Sequence, residues 1–386
     1  MGRGELLGYV ADVAATLVRI NTENPPGREL QAASYLAERA AELGLKAVVE
    51  RLDAERGSVV ATLETGGEGP TLMLNSHLDT VPAGDLEAWD INPFYGEIRD
   101  GVLHGLGAAD AKGCVASMLG AVKLLLDEGR RLSGRLILAA VADEEVNGLG
   151  TVQLLKKGYR ADYVVVGEPT GLNVCLGNRG RGEFVVTVRG RSAHASSPAF
   201  GVNAIGVAAE LVRRFKRLEK GYGKRHPELG RCSASVTMIS GGVKPNVIPD
   251  SCSITLDWRT TPYEDIEAVR RRIAAISSSV VGKYRGASFS VKTVSYAPPV
   301  ATSKRSRVVK AALNALRRVG RRPRLTAFTA TTDLSRIAKH SEAEGVILGP
   351  GSLAVIHSPR EHVRLDELAE AAQVYANIVE ELLSKT

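Results

Sequence analysis

Three apolar runs in this chain end in side chains able to bind a metal. TLMLNS is followed by His77 and Asp79, LILAAVA by Asp143, Glu144 and Glu145, and DYVVVG by Glu168. Ligands of an open α/β sheet gather beyond the carboxyl ends of its strands, so one rim would present all three sets. Asp110 lies in the glycine-rich HGLGAADAKG just before a helical pattern, and His357 follows LAVI, which reads as a late strand. A lone carboxylate after a strand is routine in caps and turns, and Asp90, Asp100 and Asp143 keep that reading. Five placements along one rim are harder to dismiss and point to metal chemistry. In a His-x-Asp pair, one ring nitrogen of His77 can ligate while Asp79 accepts a hydrogen bond from the other and sets the ring's orientation. The adjacent Glu144 and Glu145 divide naturally into one group for a metal and one for a proton.

The elements that must position these groups alternate between helix and strand periods. Residues 1–20 read as an amphipathic helix rather than a signal peptide, and residues 29–43 as a helix stopped by Gly44. Strands are expected at 46–50, 58–63, 71–75, 135–142 and 162–166, with helices at 116–127 and 149–157. Near Gly177 the pattern changes to β-α-β-β-α-β: strands at 183–189, 234–240, 252–258 and 288–295, helices at 203–218 and 263–278. After Pro298 the first pattern returns with a helix at 308–319, strands at 345–348 and 353–356, and a helix at 366–383. The small sandwich therefore reads as an insertion into a larger α/β domain.

Composition excludes several classes. Hydrophobic residues make up 44% and charged residues 24% of the 386, the balance of a globular chain. No apolar run approaches the roughly 20 residues that span a bilayer. The net charge of +7 raises the question of nucleic acid, but aromatics at 5% leave few platforms for bases, and the expectation is none. The four cysteines are scattered without a CxxC pair, which suits a reducing cytoplasm. The glycines of HGLGAAD do not make a dinucleotide site, since Asp110 would repel a pyrophosphate. His104, His226, His340 and His362 fit no ligand pattern.

The motifs together closely resemble the metallopeptidase family that includes acetylornithine deacetylase, succinyl-diaminopimelate desuccinylase, aminoacylase and glutamate carboxypeptidase. The resemblance runs through SHLDTVP (76–82), WDINPFYGEIRDGVLHGLGAADAKG (89–113), ADEE (142–145), GEPT (167–170), GRSAHASSP (190–198), PNVIPD (245–250), DWRTTP (257–262) and GPG…IHSP (349–359). It implies a zinc-aminopeptidase-like α/β catalytic domain, residues 1–176 and 297–386, with helices on both faces of a mostly parallel sheet. Residues 177–296 would be an inserted α+β ferredoxin-like lid and dimerisation domain. It implies two divalent ions, one on His77, Asp110 and Glu168 and the other on Asp110, Glu145 and His357, with Asp110 bridging and a cis peptide after it. Zn²⁺ is favoured for such mixed ligands, with Co²⁺ or Mn²⁺ as alternatives. Glu144 matches the general base and Asp79 the residue orienting His77. His194 matches an oxyanion donor reaching the partner subunit's site in a homodimer, Asn246 and Arg259 match binders of the substrate carboxylate, and the glycines at 349 and 351 would let substrate approach closely. The expected activity is hydrolysis of an N-acyl amino acid of the acetylornithine or succinyl-diaminopimelate type. Alternatives are a carboxypeptidase or aminoacylase acting on short peptides, release of lysine or ornithine from an acidic carrier protein, and, from another class, a non-catalytic ligand-binding homologue.

Overall fold

A computed structural model describes residues 2–384, which divide into two compact units. The first comprises residues 2–177, 302–328 and 332–384; the second comprises 178–301 and 329–331.

The first unit is built on an eight-stranded sheet. Its strands are β1 (Lys46–Arg51), β2 (Gly57–Glu64), β3 (Thr71–His77), β6 (Arg135–Val141), β7 (Tyr163–Val166), β8 (Val174–Asn178), β16 (Leu325–Phe328) and β17 (Glu344–Ile347), in the order β1-β2-β6-β3-β7-β17-β8-β16. The four central strands β6, β3, β7 and β17 are parallel, and β1 and β2 join antiparallel on one side. A three-stranded ribbon of β4 (Glu97–Arg99), β5 (Val102–His104) and β18 (His362–Arg364) accompanies it.

The central strands are near-continuous apolar runs because both of their faces are covered. Side chains alternate between faces with period two. Leu72, Leu74, Leu136, Leu138, Val165 and Val346 join one large core with helices α1 (Arg3–Arg19), α2 (Glu29–Glu42), α3 (Lys112–Asp127), α7 (Arg307–Arg318) and α9 (Leu365–Leu383). The intervening Met73, Ile137, Val164 and Ile347 are buried outside that core. On their side lie α4 (Leu149–Lys156) and α8 (Asp333–His340), which pack together and bury Leu154, Leu155, Leu334 and Ile337.

The second unit holds the antiparallel sheet β11-β12-β14-β9-β15, made of β9 (Gly180–Arg189), β11 (Tyr222–His226), β12 (Gly230–Gly241), β14 (Ser251–Thr260) and β15 (Ser288–Ala297). Helices α5 (Ala204–Phe215) and α6 (Ile266–Val281) cover one face, against inward residues such as Phe184, Val186, Ile254, Leu256 and Trp258. Without the short β11, the order is that of a ferredoxin-like sandwich. A two-stranded pair, β10 (Ala193–His194) with β13 (Val247–Ile248), completes the unit.

One expected element is absent. Residues 353–356 (LAVI) form turns, not a strand. They follow Gly349-Pro350-Gly351, find no ladder partner, and are held by turn bonds from Ala354 N to Ser352 Oγ and from Val355 N to Ser352 O. Four apolar residues mimic a buried strand in sequence, yet Leu353 is 40% exposed.

The sheet's late crossover is secured from α9. Tyr375, fully buried, donates its hydroxyl to the carbonyl of Leu348 at 2.7 Å, directly ahead of the Gly349 loop. Tyr375→Phe strands that buried carbonyl and is expected to destabilise the fold by about 1–2 kcal/mol. Urea unfolding measures it; an unchanged midpoint would mean the loop finds another donor.

Candidate metal centre

The rim pattern read from the sequence is realised at the carboxyl ends of adjacent parallel strands. His77 closes β3, Glu144 and Glu145 follow β6, and Glu168 follows β7. Asp110 arrives from the turn before α3 and is followed by a cis peptide to Ala111, and His357 comes from the turn region at positive φ (53°).

Asp110 is the hub. His77 Nε2 lies 3.1 Å from its Oδ1 and His357 Nε2 lies 3.2 Å from its Oδ2. His357 Nε2 also reaches Glu145 Oε1 at 3.1 Å. Ligand atoms of His77, Asp110 and Glu145 all lie within 4.8 Å of one another. The main-chain amides of Ala109 and Asp110 donate to Glu361 Oε1 at 3.1 and 3.0 Å, which fixes the hub's backbone.

The electrostatics of the cluster ask for positive charge. Burial pushes the Glu168 carboxyl well above its usual range, and Asp110 and the two glutamates beside it push further the same way. Glu145 is also raised, by burial first, against its bond to His357. Burial works against the Asp110 carboxylate too, but hydrogen bonds from His357 and His77 outweigh it and hold the group below the carboxylate range. His357 is drawn up to about 10 by its bonds to Asp110 and Glu145. His77 rises as well, since Asp110 overcomes a burial that would lower it. Metal ligands need the reverse, neutral imidazoles and ionised carboxylates. The donor set therefore fits divalent cations: two imidazole nitrogens and three carboxyl groups, those of Asp110 and Glu168 buried and that of Glu145 half-buried, with each oxygen of Asp110 facing a different histidine. Such cations would supply the charge the imidazoles otherwise carry.

Asp79 serves the site differently from the expectation. Its carboxylate is 3.7 Å from His77 Nδ1, and the ring nitrogen bonds instead to the main-chain carbonyl of Asp79 at 2.9 Å. The carboxylate is taken up elsewhere. Oδ1 accepts from Glu144 N at 3.0 Å, and Oδ2 accepts from Glu145 N at 3.1 Å and from Asn24 Nδ2 at 3.0 Å. Asp79 thus orients the histidine through its backbone and caps the two acids through its side chain. Asp143, at positive φ (70°), is the structural residue it was read to be, since its carboxylate binds Asn24, Arg56 and Leu149 N.

The glycines at 349 and 351 are required by the protein itself. A Cβ on Gly349 would sit 2.6 Å from the carbonyl oxygen of Glu168 and 2.7 Å from Cys114 Sγ. Gly351, at φ +85°, would bring a Cβ to 2.9 Å from that of Ala109. Both glycines let the 349–351 loop lie against segments carrying metal-binding candidates.

His194, Asn246 and Arg259 belong to the second unit. His194 is exposed, pairs with Val247 across the β10–β13 ladder, and bonds Ser196 Oγ through Nδ1 at 2.7 Å. Asn246 is its neighbour, accepting from Ala195 N at 2.9 Å. Arg259 places Nε and Nη2 on Asp257 at 2.6 and 3.3 Å, and Arg181 Nε joins the same carboxylate at 2.7 Å.

Sequence reading missed Asn24, Glu361 and Arg336. Asn24 sits before two prolines, a turn signal with no chemical meaning of its own. Glu361 lies in the charged run SPREHVR, which reads as exposed surface, yet it is buried. Arg336 donates to Glu144 Oε1 at 3.3 Å, and the spacing Asp333-x-x-Arg336 marks only a helical ion pair.

With this geometry in hand, comparison with known proteins gives the class. A model of peptidase family M20/M25/M40 matches residues 73–381, and the chain belongs to that family. It is a metallohydrolase acting on amide or peptide bonds. It is 29% identical over 384 residues to a succinyl-diaminopimelate desuccinylase of Thioalkalivibrio sulfidiphilus, covering 96% of this chain and 98% of that one. It is 30% identical over 331 residues to a Pyrobaculum aerophilum protein named as a hydrolase of LysW-lysine and LysW-ornithine, covering 85% and 86%. Its fold is similar to that of aminopeptidase PepT from Bacillus cereus, with TM-score 0.81 and 24% identity over 97% of this chain and 98% of that one.

Replacing Asp79 by Asn removes one acceptor from the pair of capped amides and turns an N–H₂ toward an N–H donor. Asp79→Asn is expected to weaken Zn²⁺ binding about 10–100-fold with the fold retained. Titration against a competing chelator measures this, and parental affinity would refute the capping role.

Proposed function

We propose that this chain is a two-metal deacylase that hydrolyses the amide bond of an N-acyl amino acid, of the acetylornithine deacetylase or succinyl-diaminopimelate desuccinylase type. The observation that carries this reading is the convergence of two imidazoles on the two oxygens of Asp110, with the Glu145 carboxylate bonded to one of the imidazoles and within 4.8 Å of the ligand atoms of His77 and Asp110. His77, Asp110 and Glu168 would hold one ion, and Asp110, Glu145 and His357 the other. Zn²⁺ suits this ligand mixture best, with Co²⁺ or Mn²⁺ as substitutes. When bound, such ions polarise the scissile carbonyl and make water acidic enough to attack at neutral pH.

The remaining work falls to the chain. Glu144 takes the proton of the attacking water and passes it to the leaving amine, so the carboxylate is restored at the end of each turnover. Burial pushes its carboxyl up, and the Arg336 guanidinium works against that shift, favouring the ionised form a base needs. His194 is assigned to the developing oxyanion, where one donor contributes on the order of 3 kcal/mol. Asn246 and Arg259 are assigned to the substrate carboxylate. Arg259 has Nη1 to offer, its other two nitrogens lying on Asp257. Arg181 and Arg259 share that one aspartate, Arg181 also lies 3.8 Å from Glu183, and Arg179 feels the charge of Arg259, so three guanidiniums stand against two carboxylates and the local charge favours an anionic substrate.

Release of lysine or ornithine from an acidic carrier protein is the second reading. It draws on the Pyrobaculum aerophilum relative and on the net charge of +7, which would steer an acidic partner. A hydrolysis panel separates the two: N-succinyl-diaminopimelate, N-acetylornithine, dipeptides, and lysine joined to a glutamate-rich carrier, each with Zn²⁺ or Co²⁺. Turnover of the small acyl amino acids supports the first reading; turnover of the carrier conjugate alone supports the second. Glu144→Gln is expected to retain metal and fold while losing about 10²–10⁴-fold in rate. A near-parental rate would remove Glu144 as the base.

A homodimer is part of this reading. β11 pairs with β12 only up to Cys232, and among the described residues the far half of β12 has β14 as its sole ladder partner. Met238 and Ile239 on that half are 66% and 52% exposed, an apolar edge of the kind that invites pairing with another strand. Ile239→Lys is expected to yield monomers in light scattering, and a wild-type chain that is itself monomeric would overturn the assignment. The four free, buried cysteines accord with a cytoplasmic setting, and among the described residues no helix is long and apolar enough to cross a membrane.

A further inference from the structure

Glu144 is held by a residue outside every motif discussed so far. Arg336, on α8, sends Nη1 to Glu144 Oε1 at 3.3 Å and Nη2 to the main-chain oxygen of Glu144 at 3.4 Å. Its Nε donates to the carbonyl of Asn147 at 3.2 Å. One planar guanidinium therefore grips the carboxylate and the backbone of the same loop at three points. The arginine is itself anchored. Asp333, one turn earlier on α8, lies 3.4 Å from Nη1 and accepts from Thr151 Oγ1 at 2.7 Å. Thr151 stands on α4, the helix that begins just past the Glu144 loop, so the contacts close a ring from the loop through α8 and α4 back to the loop.

The backbone is shaped around this guanidinium. Gly148, at φ +67°, ends the loop, and a Cβ there would fall on the Arg336 side chain. All of these side chains are largely or fully buried: Arg336 is 15% exposed, Glu144 11% and Asp333 1%. Arginine keeps its charge at any ordinary pH, and its fork can serve several acceptors at once where a lysine cannot.

We propose that Arg336 is a positioning residue for the general base: it fixes Glu144 through Oε1 and leaves Oε2 as the oxygen that carries the proton. Among the described residues no donor reaches Oε2. The water O–H bond breaks as its proton moves to Oε2, the proton then forms the new N–H bond of the leaving amine, and Arg336 stays protonated throughout. This inference rests on the reading of Glu144 as the base.

The test is a double-mutant cycle on the metal-loaded enzyme with Arg336→Lys, Glu144→Gln and the pair, following kcat, KM, metal content and thermal midpoint. Lysine retains the charge that Asp333 and Glu144 need, which favours folding. Arg336→Lys is expected to lower kcat about 10–100-fold through a misplaced base, with KM and metal content little changed. In the Glu144→Gln background the same substitution should cost nothing further. Gly148→Ala, which displaces the guanidinium without removing it, should reproduce the loss of kcat. A parental kcat in Arg336→Lys overturns the proposal, as does an equal loss in both backgrounds, which would mark a purely structural role. A normal rate in Glu144→Gln alone would instead overturn the base assignment on which the proposal stands.

Discussion

The structure is organised by an electrostatic demand. Asp110, Glu145 and Glu168 crowd one rim of a sheet with two histidines as the nearest compensation, and burial denies water to Asp110 and Glu168 and restricts it at Glu145. Isolated buried carboxylates would neutralise themselves by taking protons. Keeping them ionised needs positive charge in their midst, and every nearby element helps to hold the acids where that charge must go. The parallel strands deliver His77, Glu145 and Glu168 side by side. The turn before α3 delivers Asp110 with its amides tied to Glu361.

Helping residues do as much as the ligand candidates. Asp79 pins two consecutive amides, Asn24 bridges Asp79 and Asp143, and Arg56 adds a cation beneath. Glu144 and Glu145 stand in a turn after β6, and that turn is not fixed by short-range bonds alone. It is held by partners drawn from distant stretches of sequence: Asp79, Asn24 and Arg336.

Much of this was legible from residues alone, for physical reasons. The runs before His77, Glu144 and Glu168 are near-continuously apolar because both sheet faces are covered, and that makes strand ends easy to find. The β-α-β-β-α-β succession of the second unit followed from alternation of Phe184, Val186 and Val188 and the helix periods beside them. LAVI failed because four apolar residues cannot say whether a ladder partner exists. Asp79 failed in detail because backbone amides of Glu144 and Glu145 compete for its oxygens, which spacing does not reveal. Arg336 and Glu361 stayed hidden because their meaning depends on a fold that joins them to residues some two hundred positions away.

The capping of both acids by Asp79 has a consequence for the choice of ion. The loop's shape is set by amide and guanidinium donors belonging to the polypeptide, so trading one divalent cation for another calls for no remodelling of the backbone. Selection among divalent ions then falls to the imidazole and carboxylate atoms themselves, not to the backbone that carries them.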